Sequence, residues 1–291
     1  MAPLILIKIS RSYSEAILKY FLVQALASTI LIVSILTGLN IVKILAPLIT
    51  EVITSVALAI KAGVPPFHFW FPEVSNKLNW TQCFIIFTWQ KVAPLILLSI
   101  TSFSLVSFLT LMAVVIGALG GLNQIYIKIL LAYSRISHRG WLIIASVSAI
   151  KLWTGYFIVY SFLSICIIFS LQGTHLTKIS QLSEINFDII LKYRFALNLL
   201  SLGGLPPLLG FLAKLSVLAF ILKLKLSALA LIFIMCSLSS LYYYLRLIYS
   251  FVINSETIKP PVLSLGDKYK SNLLTVCTAL NILAPILSLA L

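Results

Sequence analysis

The sequence predicts an all-α fold: a polytopic membrane protein with about nine transmembrane helices, two of them discontinuous. Three observations carry this expectation. The chain of 291 residues is 61% hydrophobic, with a mean hydropathy of +1.11. Only 10% of its residues are charged, where a soluble domain carries about a quarter. Apolar runs of roughly 20 residues, the length a helix needs to cross ~30 Å of hydrocarbon, recur from end to end. Membrane β-barrels alternate apolar and polar residues over ~10 positions. Segments such as "FLVQALASTILIVSILTGL" (21–39) instead stay apolar on every face.

The elements follow in order. The opening "MAPLILIKIS" is too short for a signal peptide and lacks a cleavage-type ending, so it reads as the tail of a helix. The first span covers 19–40. The second, 45–70, is interrupted at Gly63, Val64, Pro65 and Pro66. Those prolines remove two backbone donors, and Pro65 disfavours helical geometry at Val64. Carbonyls between Ile60 and Gly63 therefore need partners from protein or from water in an internal cavity. The third span, 81–101, holds Lys91 near its middle, where Pro94 loosens the helix. The fourth is 103–122. The fifth, 125–149, carries the polar run "AYSRISHRGW" with His138. The sixth is 152–172. The seventh, 190–220, is interrupted at Gly203, Gly204, Pro206 and Pro207, with Lys214 about two turns further on. The eighth and ninth are 226–252 and 271–290. The longest connections, 172–194 and 254–271, leave no room for a separate soluble domain.

A net charge of +14 and a pI near 9.7 would suggest nucleic acid in a soluble protein. Here the cations lie in short loops rather than on one face, so nucleic acid is excluded and the charge sets topology. One side carries Lys8, Arg11, Lys19, Lys77, Lys178, Lys192, Arg194, Lys259, Lys268 and Lys270. The other carries mainly Lys43, Lys151, Lys223 and Lys225. The N-terminus and both long loops fall on the cytoplasmic-type side, the matrix in a mitochondrion, with Leu291 opposite. Cys83, Cys166, Cys236 and Cys277 have no metal or disulfide spacing and read as apolar packing. No nucleotide loop, nucleophile elbow or metal-ligand cluster is present in the sequence.

"AGVPP" (62–66) and "GGLPP" (203–207) echo one another, each with a lysine nearby, and they lie five places apart in helix order, in the second and seventh spans. Discontinuous helices at matching positions are the mark of inverted repeats. The division expected is a truncated first repeat over 19–101, a second over 103–252, and a C-terminal helix at 271–290, all in one transmembrane domain. Ionisable residues at membrane depth are functional candidates where a polar path joins them. Lys61, Lys91, His138 and Lys214 form a candidate proton relay, with water wires passing through the breaks. Lys61 has the alternative of snorkelling to the interface. His68, between Phe67 and Phe69, reads as part of an interfacial aromatic belt.

The motifs "EAILKYFLVQALAS", "KAGVPPFHFWFPEV", "WQKVAPLILLS", "IGALGGLNQ", "AYSRISHRGW" and "LSLGGLPPLLGFLAK" resemble the chain 2 family of antiporter-like subunits in respiratory complex I. The resemblance covers roughly residues 15 to 250. It implies a proton-translocating subunit of the membrane arm in the mitochondrial inner membrane, with functional lysines at Lys61, Lys91 and Lys214 and a relay position at His138. It also implies that NADH, FMN, iron–sulfur clusters and ubiquinone bind other subunits, leaving this chain without cofactor or metal. The expected partners are a neighbouring antiporter-like subunit, small membrane subunits and lipid. Family members carry earlier helices with a glutamate that partners the lysine matching Lys61. This sequence starts beyond it, so a neighbouring subunit, another pairing or a shortened product is expected. Arg135 stands where the family has serine, which with Arg139 either burdens His138 with charge or anchors the helix at the matrix face. Two other functions stay open: a subunit of a multisubunit cation/proton antiporter, and a structural spacer that no longer pumps.

Overall fold

The computed structural model describes residues 11–40, 46–172, 176–182, 189–252, 275–276, 278–279 and 281–282. Most of the expected ninth span, 271–290, lies outside the described residues, as does the connection from 253 to 270. Within them the chain is helical. The helices are α1 (Arg11–Asn40), α2 (Ala46–Ala62), α3 (Trp70–Lys77), α4 (Trp80–Phe87), α5 (Val92–Leu98), α6 (Phe103–Leu122), α7 (Ile127–Ser148), α8 (Ile150–Leu171), α9 (Ile189–Gly203), α10 (Leu209–Lys223) and α11 (Ser227–Val252). Short 3-10 turns occupy Trp89–Lys91 and Ile179–Leu182. An isolated antiparallel bridge joins Tyr126 to Lys178.

Among the described residues, five stretches are long and apolar enough to cross a bilayer: Tyr13–Gly38, Trp80–Leu98, Phe103–Leu122, Ile150–Leu171 and Ser227–Phe251. The chain is thus a multi-pass membrane protein. Of two further expected spans, 190–220 is divided into α9 and α10, whereas 45–70 is helical only as α2 up to Ala62, with α3 beginning at its last residue, Trp70. The expected fifth span is α7, whose Lys128, Arg135 and Arg139 set it apart from its apolar neighbours.

Both divisions end the upstream helix in the same way. Gly63 sits at φ +64° and Gly204 at φ +83°, the left-handed region that favours glycine. Gly63 N–H donates to Ile60 O (3.1 Å) and Val64 N–H to Ala59 O (2.9 Å). In the second, Gly204 N–H donates to Ser201 O (3.0 Å) and Leu205 N–H to Leu200 O (3.2 Å). This is the Schellman pattern, in which the reversed chain satisfies carbonyls the helix leaves open. The prolines follow at once, where no helical N–H is wanted.

The third span holds a discontinuity that its sequence signals only through Pro94. Thr88 Oγ and Thr88 N–H both bond to Phe84 O, at 2.8 and 3.0 Å. The chain tightens into the 3-10 turn, with Lys91 N–H donating to Thr88 O at 3.2 Å. It restarts as α5 with Pro94 in the first turn, where a missing N–H costs nothing.

The described residues form two compact units. The first comprises α1 to α5, α6 up to Gly117, and α7 from Leu131. Here α6 and α7 approach closely through glycine: a Cβ on Gly117 would stand 2.3 Å from the backbone nitrogen of Ser137. A small residue lets membrane helices approach at backbone distance. The second unit comprises the end of α6, the start of α7, and α8 to α11. Its core includes Phe195 against Phe251, with ring centroids 4.8 Å apart, and buried Phe233, Tyr243 and Tyr244. Arg246 caps the end of α6 by donating to Leu122 O at 3.0 Å.

Candidate functional site

In the first unit the carbonyl end of α2 is satisfied by protein groups. Trp70 Nε1–H donates to Ile60 O at 3.2 Å, and Gln24 Nε2 to Lys61 O at 3.2 Å. Arg139 Nη1 donates to Gly63 O. Of the two routes the prolines leave open, protein donors or water, these three carbonyls take the first. A cation here also meets the partial negative charge at a helix C-terminus.

Lys91 is 2% exposed, on the 3-10 turn of the third span. Its Nζ lies 5.2 Å from the Phe71 ring centroid and 5.8 Å from that of Phe87. Arg139 Cζ lies 3.7 Å from the Phe71 centroid, and Arg135 Cζ 5.5 Å from that of Phe87. The two rings are 5.4 Å apart. Three cations thus share two aromatic faces, whose negative quadrupole attracts positive charge most strongly when water is excluded. Arg135 and Arg139 are both 0% exposed. They stand one turn apart on α7, so the same helix face presents both. His138 is buried beside them. The arginines are therefore buried, and the anchoring role at the matrix face fails because neither reaches the surface.

Lys61 is half-buried in the last turn of α2. No described residue hydrogen-bonds or ion-pairs with its amine. Glu73 is taken by Lys19 at 2.6 Å, and Glu15 by Lys77 at 2.7 Å. Glu51 lies ten residues earlier on α2. His68 departs from the interfacial expectation. It is buried, with its ring 4.4 Å from that of Phe69 and 6.3 Å from that of Tyr133. The turn after the prolines folds it inward.

In the second unit Lys214 is 6% exposed and donates from Nζ to Gly203 O at 2.8 Å. The lysine two turns past the break thus reaches back to cap it. A buried amide network lies on the same helices. Asn281 Nδ2 donates to Asn198 Oδ1 (2.6 Å), Ser201 Oγ approaches Asn281 Oδ1 (3.4 Å), and Gly210 N–H donates to Ser201 Oγ (3.1 Å). It ties α9 and the first turn of α10 to Asn281.

Of the expected site residues, Lys91 and Lys214 are deeply buried beside helix interruptions, His138 is buried on the cationic helix, and Lys61 lies at a break. Arg139 as a break cap and the Asn198–Ser201–Asn281 network were not foreseen. The spacing of Arg135 and Arg139 on an apolar helix was the available signal for the first. The network had none, because its members are far apart in sequence.

A model of the NADH:quinone oxidoreductase/Mrp antiporter transmembrane family matches residues 1–240. The chain is 41% identical over 251 residues to NADH-ubiquinone oxidoreductase chain 2 of Anopheles gambiae, covering 84% of this chain and 73% of that one. It is 38% identical over 249 residues to the protein of the same name from Locusta migratoria, covering 82% and 72% respectively. A chain in respiratory complex I from Thermus thermophilus shares the fold, with a TM-score of 0.85 at 24% identity over 96% of this chain and 68% of that one. Its sequence matches, together with its broken helices and buried lysines, show that the chain belongs to the NADH:quinone oxidoreductase/Mrp antiporter transmembrane family, among relatives named NADH-ubiquinone oxidoreductase chain 2.

Proposed function

We propose that this chain is an antiporter-like membrane-arm subunit of NADH:ubiquinone oxidoreductase. In this role it contributes to proton translocation coupled to NADH oxidation and ubiquinone reduction on other subunits. Lys61, Lys91, His138 and Lys214 carry the protons. The supporting observation is that Lys91 and Lys214 are 2% and 6% exposed, each beside an interruption of a membrane span. An ammonium at such depth is costly and is kept where it has work and polar company. NADH, FMN, iron–sulfur clusters and quinone belong to other subunits, and this chain holds none. Its partners are a neighbouring antiporter-like subunit, small membrane subunits and lipid. Its setting is the mitochondrial inner membrane, N-terminus in the matrix and C-terminus in the intermembrane space.

Methionine keeps the length of a lysine stem and removes the charge. Lys91→Met and Lys214→Met are expected to lower protons moved per NADH oxidised by a factor of several in an assembled complex. Unchanged stoichiometry in both variants, with assembly shown on native gels, would make the chain a spacer. Cation transport independent of NADH would make it an antiporter subunit.

A further inference from the structure

The two breaks are built alike and closed by different chemistry. A Cβ on Gly63 would stand 2.9 Å from Arg139 Nη1, and one on Gly204 would stand 2.8 Å from Lys214 Cδ and 3.2 Å from Nζ. Each left-handed glycine leaves the room that a cationic side chain fills. Each cation then donates to a carbonyl at the end of the upstream helix, Arg139 to Gly63 O and Lys214 to Gly203 O. A guanidinium in a protein is always charged, whereas an amine can release its proton.

We infer that Arg139 is a positioning residue that holds the first break as a permanent latch, while Lys214 holds the second as a latch that protonation strengthens and deprotonation weakens. The two halves of the broken-helix pair are therefore unequal: only the second changes its hold with proton occupancy. This goes beyond a relay of protons through lysines, and it stands whether or not the chain pumps. A neutral amine still donates a hydrogen bond, but the charge-assisted bond is about twice as strong.

The groups around each latch fit the assignment. Near Arg139 stand Lys91 over the same Phe71 ring, Arg135 and His138 on α7, Lys61 on α2, and His68 with Tyr133. None of these can take the proton of a guanidinium. Against α10 pack α9 and α11. Lys192, Tyr193 and Arg194 lie in the first turns of α9, about three turns before Gly203. On α11, Tyr244 is the near group, its ring 3.5 Å from where a Gly203 Cβ would sit. Cys236, Tyr242, Tyr243, Arg246 and Tyr249 occupy the rest of that helix, and Lys223 the far end of α10.

The test is hydrogen–deuterium exchange on the intact detergent-solubilised complex carrying this chain, over a neutral-to-alkaline series corrected for intrinsic exchange. Amides of Gly204, Leu205 and Leu208 are expected to lose protection about tenfold as pH rises, the scale separating a charge-assisted from a neutral hydrogen bond. Those of Gly63, Val64 and Phe67 are expected to stay constant. Arg139→Lys should transfer the pH response to the first break, Lys214→Arg should abolish it at the second, and Arg139→Met should loosen the first break at every pH. Equal responses at the two breaks, no response at either, or a swap that transfers nothing would overturn the assignment. If the variants do not assemble, the unchanged chain still decides, because both breaks are read in one sample.

Discussion

Replacing Gly204 with alanine tests the second break, and its neighbour provides the control. Gly204 sits at φ +83°, and an L-residue in the left-handed region costs about 1–2 kcal/mol. The new Cβ would also stand 2.8 Å from Lys214 Cδ, closer than real Cβ atoms come, so the lysine stem must move. That motion weakens the 2.8 Å bond to Gly203 O, a bond to a charged group worth about 1.5–3 kcal/mol. Complete loss of the bond gives about 2.5–5 kcal/mol in all. Gly203→Ala is different. Its Cβ would meet Leu241 and Tyr244 at 3.5 Å, ordinary contact, at a position that ends α9 with no positive φ. Alanine exceeds glycine in helix preference by up to about 1 kcal/mol, so this change should be neutral or slightly stabilising. The assay is thermal inactivation of the solubilised complex, together with protons moved per NADH. Gly204→Ala is expected to inactivate at lower temperature and to pump like Lys214→Met, while Gly203→Ala behaves as the unchanged chain. Equal effects at the two glycines would refute the reasoning, because local geometry is all that separates them.

Two further outcomes follow from packing. Asn281→Leu removes the donor to buried Asn198 Oδ1 and is expected to destabilise by about 1–3 kcal/mol, the cost of an unsatisfied buried polar group. A second substitution, Asn198→Leu, should recover part of that loss, as a double-mutant cycle on thermal stability would read. Gly117→Ala places a methyl 2.3 Å from the Ser137 backbone. Helices α6 and α7 must then separate, disturbing the face that carries Arg135, His138 and Arg139. Loss of assembled complex on native gels is expected, and normal assembly would show that the helix contact is looser than described.

Much of this molecule is legible from residue types alone. The left-handed turns at Gly63 and Gly204 follow from glycine ahead of paired prolines, because that combination can neither continue a helix nor bond as one. Lys91 and Lys214 announced themselves as cations surrounded by apolar sequence. The 3-10 turn at Lys91 was harder to foresee, since Pro94 predicts a loosened helix but not where the chain tightens. His68 was misplaced because its aromatic neighbours suit an interface as well as a core. Only the turn that follows the prolines separates the two.

What the amino-acid order determined by itself is local and compositional: the apolar lengths that demand helices, the breaks, and the presence of cations at depth. Those features depend on residues a few positions apart, so they are written contiguously. The tertiary structure alone decided which cation meets which carbonyl. Arg139 reaches Gly63 across 76 positions, and Asn281 reaches Asn198 across 83. Such pairs are selected by helix packing, which gathers the favourable contacts of many side chains at once. No short stretch of sequence carries that sum.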